Sequence, residues 1–284
     1  MDIAQDVSDI ESYDGITSKL TFFTTPNIQN KPVIVCLPAM GVPASKYEKL
    51  AISLAKSGLN SVTADLRGIG KSSVRAKKNN FGYHEMVEYD WPSIISEVKN
   101  KFPENQLYLL GHSLGGQLSA LYAAINPDNI DGLIFTAACS IHFKGWDFPK
   151  NIGILIGTQT ARLITEIKGY FPGRKLGFGG TESRQVIRDW SRVALTGKYN
   201  IENSPHNFEN MFKNFKKPIL ALSYEGDHFS PEKAVHKLCN KLENSDITYR
   251  HLTPEDLNTD KLDHFSCMRL TDDLSPIIKD WVLN

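Results

Sequence analysis

The sequence predicts an α/β fold: a mostly parallel central sheet flanked by helices and interrupted by one long insertion. Three observations carry this expectation. Short continuous apolar runs alternate with amphipathic helical stretches at βαβ spacing. One of these runs, Leu107 to Leu110, leads through Gly111-His112-Ser113-Leu114-Gly115 into apolar residues at helical spacing. The alternation then stops between Cys139 and about Lys216 and resumes at Pro218.

The chain of 284 residues is 41% hydrophobic and 23% charged, an ordinary globular composition for one domain or one domain with an insertion. Lys and Arg total 32 against 32 Asp and Glu, which argues against a dedicated nucleic-acid binder. The N-terminal MDIAQDVSDIESYDG is acidic and lacks a basic-then-apolar signal sequence. No apolar run approaches the roughly 20 residues of a membrane span. Cys36, Cys139, Cys239 and Cys267 are scattered without a C-x-x-C pair, so neither structural zinc nor a disulfide scaffold is expected. With no N-x-S/T sequon present, a reduced cytoplasmic setting fits best.

Taken in order, Ser12 to Thr25 alternates around Asp14-Gly15 and suggests a hairpin. Pro32 to Leu37 (PVIVCL) reads as a strand buried on both faces. The loop PAMGVPASKY follows, then a helix over Tyr47 to Ser57 closed by Gly58. Asn60 to Ala64 is the next strand and ends in DLRGIGKS, where Asp65 and Arg67 are expected to form a structural ion pair and turn network. No Gly-x-x-x-x-Gly-Lys-Ser/Thr phosphate loop is present. A helix over Asp90 to Lys101 precedes the Ser113 strand and helix, and Gly132 to Ala137 is another buried strand. After the insertion come the strand Pro218 to Ser223, a helix over Pro231 to Lys241, the strand Ile247 to Leu252 and a helix over Leu274 to Val282. The expected division is a core of 1–138 and 217–284 with a cap at 139–216.

G-x-S-x-G between a strand and a helix is the nucleophile-elbow pattern: a turn so tight that the serine is strained and its flanking glycines must be small. The bland alternative is a glycine-rich turn with an N-cap serine. A serine hydroxyl needs a base. Of eight histidines, His112 points away within the elbow, His236 falls in a helix and His251 in a strand. His264 sits in the loop after the last strand, on the same carboxyl edge as Ser113. The acid that fixes the imidazole lies between them in the chain order Ser, acid, His. Asp227 follows a glycine turn and precedes Pro231, and Glu225 is its rival. Asp263 adjoins His264 and is expected to point elsewhere. A tetrahedral oxyanion needs two N–H donors. Leu114 directly follows the serine, and Met40 lies in the loop after PVIVCL, where Pro38 cannot donate.

PAMGVPASKY, DLRGIGKSS, GHSLGG, EGDHFSP and LDHF, in this order across nearly the whole chain, resemble the α/β-hydrolase family, in particular monoacylglycerol-lipase-like and serine-aminopeptidase-like members with a helical cap. Pro38-Ala39 replaces the usual His-Gly before the oxyanion residue, and Asp263 replaces the usual Gly before the histidine. The resemblance implies a serine hydrolase acting on a small-molecule acyl substrate, with catalytic Ser113, Asp227 and His264, an oxyanion hole of Met40 and Leu114, no metal and no cofactor. Ester cleavage is the expected reaction, thioesterase or peptidase chemistry uses the same triad, and a non-catalytic binding protein on this fold is the alternative of another class. Phe143, Trp146, Leu155 and Leu163 are expected to wall the acyl pocket. Leaving group, chain length and oligomeric state are not legible.

Overall fold

The computed structural model describes residues 3–26 and 30–284. An antiparallel hairpin opens the chain, β1 (Ala4–Glu11) and β2 (Thr17–Thr24), turning at Gly15 with φ 78°. The hairpin therefore starts at Ala4, ahead of the Ser12 expected from sequence. The reason is that β1 is an edge strand exposed along most of its length, so it carries no apolar alternation to announce it.

The core then runs β3 (Val33–Leu37), α1 (Glu48–Lys56), β4 (Asn60–Ala64), α2 (Tyr83–Glu85), α3 (Trp91–Lys101), β5 (Leu107–His112), α4 (Leu114–Ile125) and β6 (Gly132–Thr136). A single π turn over Met86–Asp90 joins α2 to α3, so the helical stretch begins earlier than the expected Asp90. After β6 come α5 (Lys150–Lys168), β7 (Tyr170–Phe171), α6 (Gly173–Leu176), β8 (Glu182–Ser183), α7 (Arg184–Thr196) and α8 (Phe208–Asn214). β7 and β8 pair only with each other, a two-residue ladder too short to leave a sequence signal. The core resumes with β9 (Ile219–Tyr224), α9 (Glu232–Cys239), β10 (Ile247–Leu252) and α10 (Thr271–Leu283).

Eight strands form the central sheet in the order β1-β2-β4-β3-β5-β6-β9-β10. From β4 to β10 every pairing is parallel, and β2 joins β4 antiparallel. β3, β4, β5, β6 and β9 are buried at every position. Their unbroken apolar runs have that cause, since helices cover both faces of a parallel sheet. α1 and α10 close one face through Leu50, Leu54, Leu274 and Ile278. α3, α4, α8 and α9 close the other through Ile94, Leu118, Phe212 and Val235. Because the core strands are parallel, the loops after β3, β5, β6, β9 and β10 all open at one edge of the sheet.

The expected Asp65–Arg67 ion pair does not form. Arg67 instead grips two other carboxylates, Asp14 at 2.6 Å and Asp90 at 2.6 Å. Asp65 accepts backbone N–H bonds from Ala44 and Lys71 at 2.7 and 2.8 Å. Both residues lie past the end of β4, where strand alternation no longer applies, and Asp65 faces the backbone at Ala44 and Lys71 while Arg67 faces the hairpin turn and the segment ahead of α3. Among the described residues no helix is long and apolar enough to cross a membrane.

Candidate active site

β5 ends in His112, and the chain reverses at Ser113 with φ 53° and ψ −116° before entering α4. A non-glycine residue held there stores roughly 1–3 kcal/mol of backbone strain. Close packing enforces the turn. A Cβ on Gly111 would lie 2.3 Å from Gly116 Cα, and one on Gly115 only 2.4 Å from the Leu37 carbonyl oxygen. Gly116, unremarked in the sequence, is as constrained, since its Cβ would come within 2.4 Å of Ala138 Cβ. The Ser113 N–H donates to the Thr136 carbonyl at 3.2 Å, pinning the elbow to β6.

The loop after β9 turns at Gly226, φ 78°, and delivers Asp227. Asp227 Oδ1 accepts the N–H groups of Phe229 and Ser230 at 2.8 and 3.0 Å, which locks the carboxylate ahead of α9. Its Oδ2 lies 2.9 Å from His264 Nδ1, with both side chains buried. The rival Glu225 is exposed. Asp263 turns away from its neighbour, pairing with Arg269 at 2.9 Å and accepting the Phe265 N–H. His264 is further fixed by ring contacts with Phe229 and Phe265 at 5.4 and 5.2 Å.

Ser113 and His264 both line a cavity of about 420 Å³ whose wall is mainly apolar. Met40 and Leu114 line it too, and among the described residues neither of their N–H groups has an acceptor. The neighbouring Ala39 N–H is taken, donating to the Tyr47 hydroxyl at 2.9 Å. Gly41, φ 73°, lets the loop after β3 meet the chain between α6 and β8, because a Cβ there would sit 2.0 Å from the Gly180 nitrogen. Cys139 is also on the wall, and burial pushes its thiol up to about 12, so it stays an inert thiol at neutral pH.

The four residues expected to wall the pocket do not do so. Trp146 is buried against the core, its indole N–H donating to the His228 carbonyl at 3.0 Å. Phe143 and Leu155 are half-buried off the cavity wall, and Leu163 is 61% exposed. On α5 the cavity face is Gly153, Ile154, Gly157, Thr158 and Ala161. Ile152, Ile156, Leu163 and Ile167 share the outer face. Apolar residues occur all round the first turns of this helix, so periodicity alone could not choose its inner side. Phe171, Phe178 and Trp190 also line the wall, and no local pattern in the sequence singled them out for it. Among the described residues no group of three His, Cys, Asp or Glu is placed to hold a metal ion.

A largely parallel sheet with a strained serine between β5 and α4, and a histidine–carboxylate pair in the loops after β10 and β9, defines the α/β-hydrolase class. Residues 28–200 match the sequence model of a family described as serine aminopeptidase, S33, and the chain belongs to that family. Two curated relatives are similar over shorter stretches. Protein phosphatase methylesterase 1 of Debaryomyces hansenii is 35% identical over 117 residues, covering 38% of this chain and 29% of that protein. The monoglyceride lipase of Rattus norvegicus is 29% identical over 110 residues, covering 38% of this chain and 35% of that protein. The matches thus span about a third of these relatives' length. The solved structure of an esterase from Exiguobacterium antarcticum shares the fold, with a TM-score of 0.64 at 17% identity over 98% of this chain and 99% of that one.

Proposed function

We propose that the protein is a serine hydrolase that cleaves a carboxylic ester or related acyl bond through an acyl-enzyme. The observation that carries the reading is the buried His264–Asp227 bond of 2.9 Å on a histidine that shares its cavity with the strained Ser113. Ser113 Oγ attacks the acyl carbonyl carbon as its proton passes to His264 Nε2. Asp227 holds the Nδ1–H and stabilises the imidazolium without taking the proton. The N–H groups of Met40 and Leu114 receive the negative oxygen. Collapse expels the leaving group, which takes the proton from His264. A water then repeats the sequence on the acyl-enzyme, releasing the acid and restoring Ser113.

Residues 139–216 act as a cap on the core of 1–138 and 217–284. The apolar wall supports an acyl group as the part of the substrate that is buried. The methylesterase and lipase named above support an ester as the bond. Four free, buried cysteines support a reducing, cytoplasmic setting. Labelling with a fluorophosphonate probe tests the reading. The wild type is expected to be labelled and the Ser113→Ala variant to be unlabelled and slowed by about 10⁶-fold in kcat. Turnover by that variant within tenfold of wild type would remove Ser113 as nucleophile. A panel of p-nitrophenyl esters alongside acyl thioesters separates esterase from thioesterase, and the ester is expected to be preferred.

A further inference from the structure

We propose that Tyr47 and His112 are positioning residues that hold the oxyanion loop and the His264 loop at a set distance from each other through one continuous hydrogen-bond chain. The inference rests on the serine-hydrolase reading above. Both side chains are fully buried, and neither is on the cavity wall.

The chain has four members. The Ala39 N–H donates to Tyr47 Oη at 2.9 Å. Tyr47 Oη lies 2.6 Å from His112 Nδ1. His112 Nε2 lies 2.8 Å from the carbonyl oxygen of His264 itself. The ends fix every proton in between. A backbone N–H can only donate and a carbonyl can only accept. The His264 carbonyl therefore accepts a hydrogen bond from His112 Nε2–H. Burial holds the imidazole of His112 well below its usual range, so it is neutral and Nδ1 is a bare acceptor. Tyr47 O–H donates to Nδ1 while accepting from Ala39. No alternative arrangement satisfies all four groups, so the chain cannot slip or reverse.

Its two ends matter because of where they lie. Ala39 precedes Met40, the proposed oxyanion donor, and holding the Ala39 N–H aims the next peptide plane. The carbonyl at the other end belongs to the proposed base. The His112 ring also packs 4.8 Å from the His264 ring and 5.9 Å from Phe265. His264 is thus held through Nδ1 by Asp227 and through its own main chain by His112. Since His112 sits directly before Ser113, the elbow, the oxyanion loop and the base share one buried rigid link. Such a link stabilises the transition state more than bound substrate, because misplacing reacting groups by a fraction of an ångström is felt chiefly there.

The test is Tyr47→Phe, which keeps the ring and removes only the hydroxyl, with His112→Asn as a second variant. Each is measured for kcat and KM on a p-nitrophenyl ester, for affinity toward an alkylboronic acid that mimics the tetrahedral intermediate, and for melting temperature. Tyr47→Phe is expected to lower kcat about tenfold or more with KM within twofold, and to weaken the boronic acid in proportion to kcat/KM. Imidazole nitrogen NMR on the wild type at neutral pH is expected to show His112 as the Nε2–H tautomer. Unchanged kcat in Tyr47→Phe, a loss carried by KM alone, a loss that merely tracks melting temperature in both variants, or an Nδ1–H tautomer would overturn the inference. An active Ser113→Ala variant would instead remove the hydrolase reading. An inactive Ser113→Ala beside a fully active Tyr47→Phe leaves that reading standing and sinks only this one.

Discussion

Asp227 and Glu225 flank the same glycine, and their different surroundings separate their roles. Asp227 is buried with two N–H donors on Oδ1 and an imidazole on Oδ2, whereas Glu225 lies in solvent. Asp227→Asn keeps the shape but favours the wrong tautomer of His264, and is expected to cost about 10⁴ in kcat. Glu225→Gln should stay within about twofold, and reversed effects in steady-state kinetics would reassign the acid. A second carboxylate gives a pH effect. Burial pushes Glu182 up to about 7, partly opposed by the Gly180 N–H that it accepts. Its folded pKa therefore lies above the unfolded value near 4.5. The fold binds this proton more tightly than the unfolded chain does. Stability from this group is accordingly full below about pH 4.5 and lost as pH rises toward 7. Glu182→Gln keeps an acceptor for Gly180 without the charge. It should raise the melting temperature relative to wild type at pH 8 and leave it nearly unchanged at pH 4.5.

At the scale of elements, α5 decides how the proposed cap meets substrate. Its cavity face presents Ile154, Thr158 and Ala161, and its outer face Ile152, Ile156, Leu163 and Ile167. Each substrate methylene buried against the inner face contributes about 0.8 kcal/mol, or about fourfold in kcat/KM. Ala161→Phe, which fills the cavity, should therefore shorten the preferred acyl chain over a series of p-nitrophenyl esters while short esters are still hydrolysed. Leu163→Ser on the outer face should leave chain-length preference unchanged and melting temperature little changed, because that side chain is mostly exposed. A shift of preference in Leu163→Ser would return this residue to the pocket wall and contradict the observed face of the helix.

Across the whole molecule, the hairpin turn is tied to the segment ahead of α3 by Arg67, which is buried between Asp14 of the turn and Asp90. Arg67→Met leaves the Asp90 carboxylate inside without its cation, and should destabilise the fold by about 3–5 kcal/mol in urea titrations at pH 7. This tie also marks the boundary between what could and could not be read beforehand. Strands buried on both faces, the GHSLG turn and the Asp227 and His264 loops were legible, because each follows from a local pattern: unbroken apolar runs, glycines where backbones nearly touch, and turns at strand ends. Chain order then sufficed to place Ser113, Asp227 and His264 on loops at one edge of a parallel sheet, since every parallel strand ends on the same side. Partners across the fold were not legible. Arg67 chose Asp14 and Asp90 over nearby Asp65, α5 turned Ile154 inward and Leu163 outward, and His112 met Tyr47 and the His264 carbonyl. Those choices depend on which surfaces of distant segments meet, and local sequence alone does not specify them, so only the tertiary structure decided them.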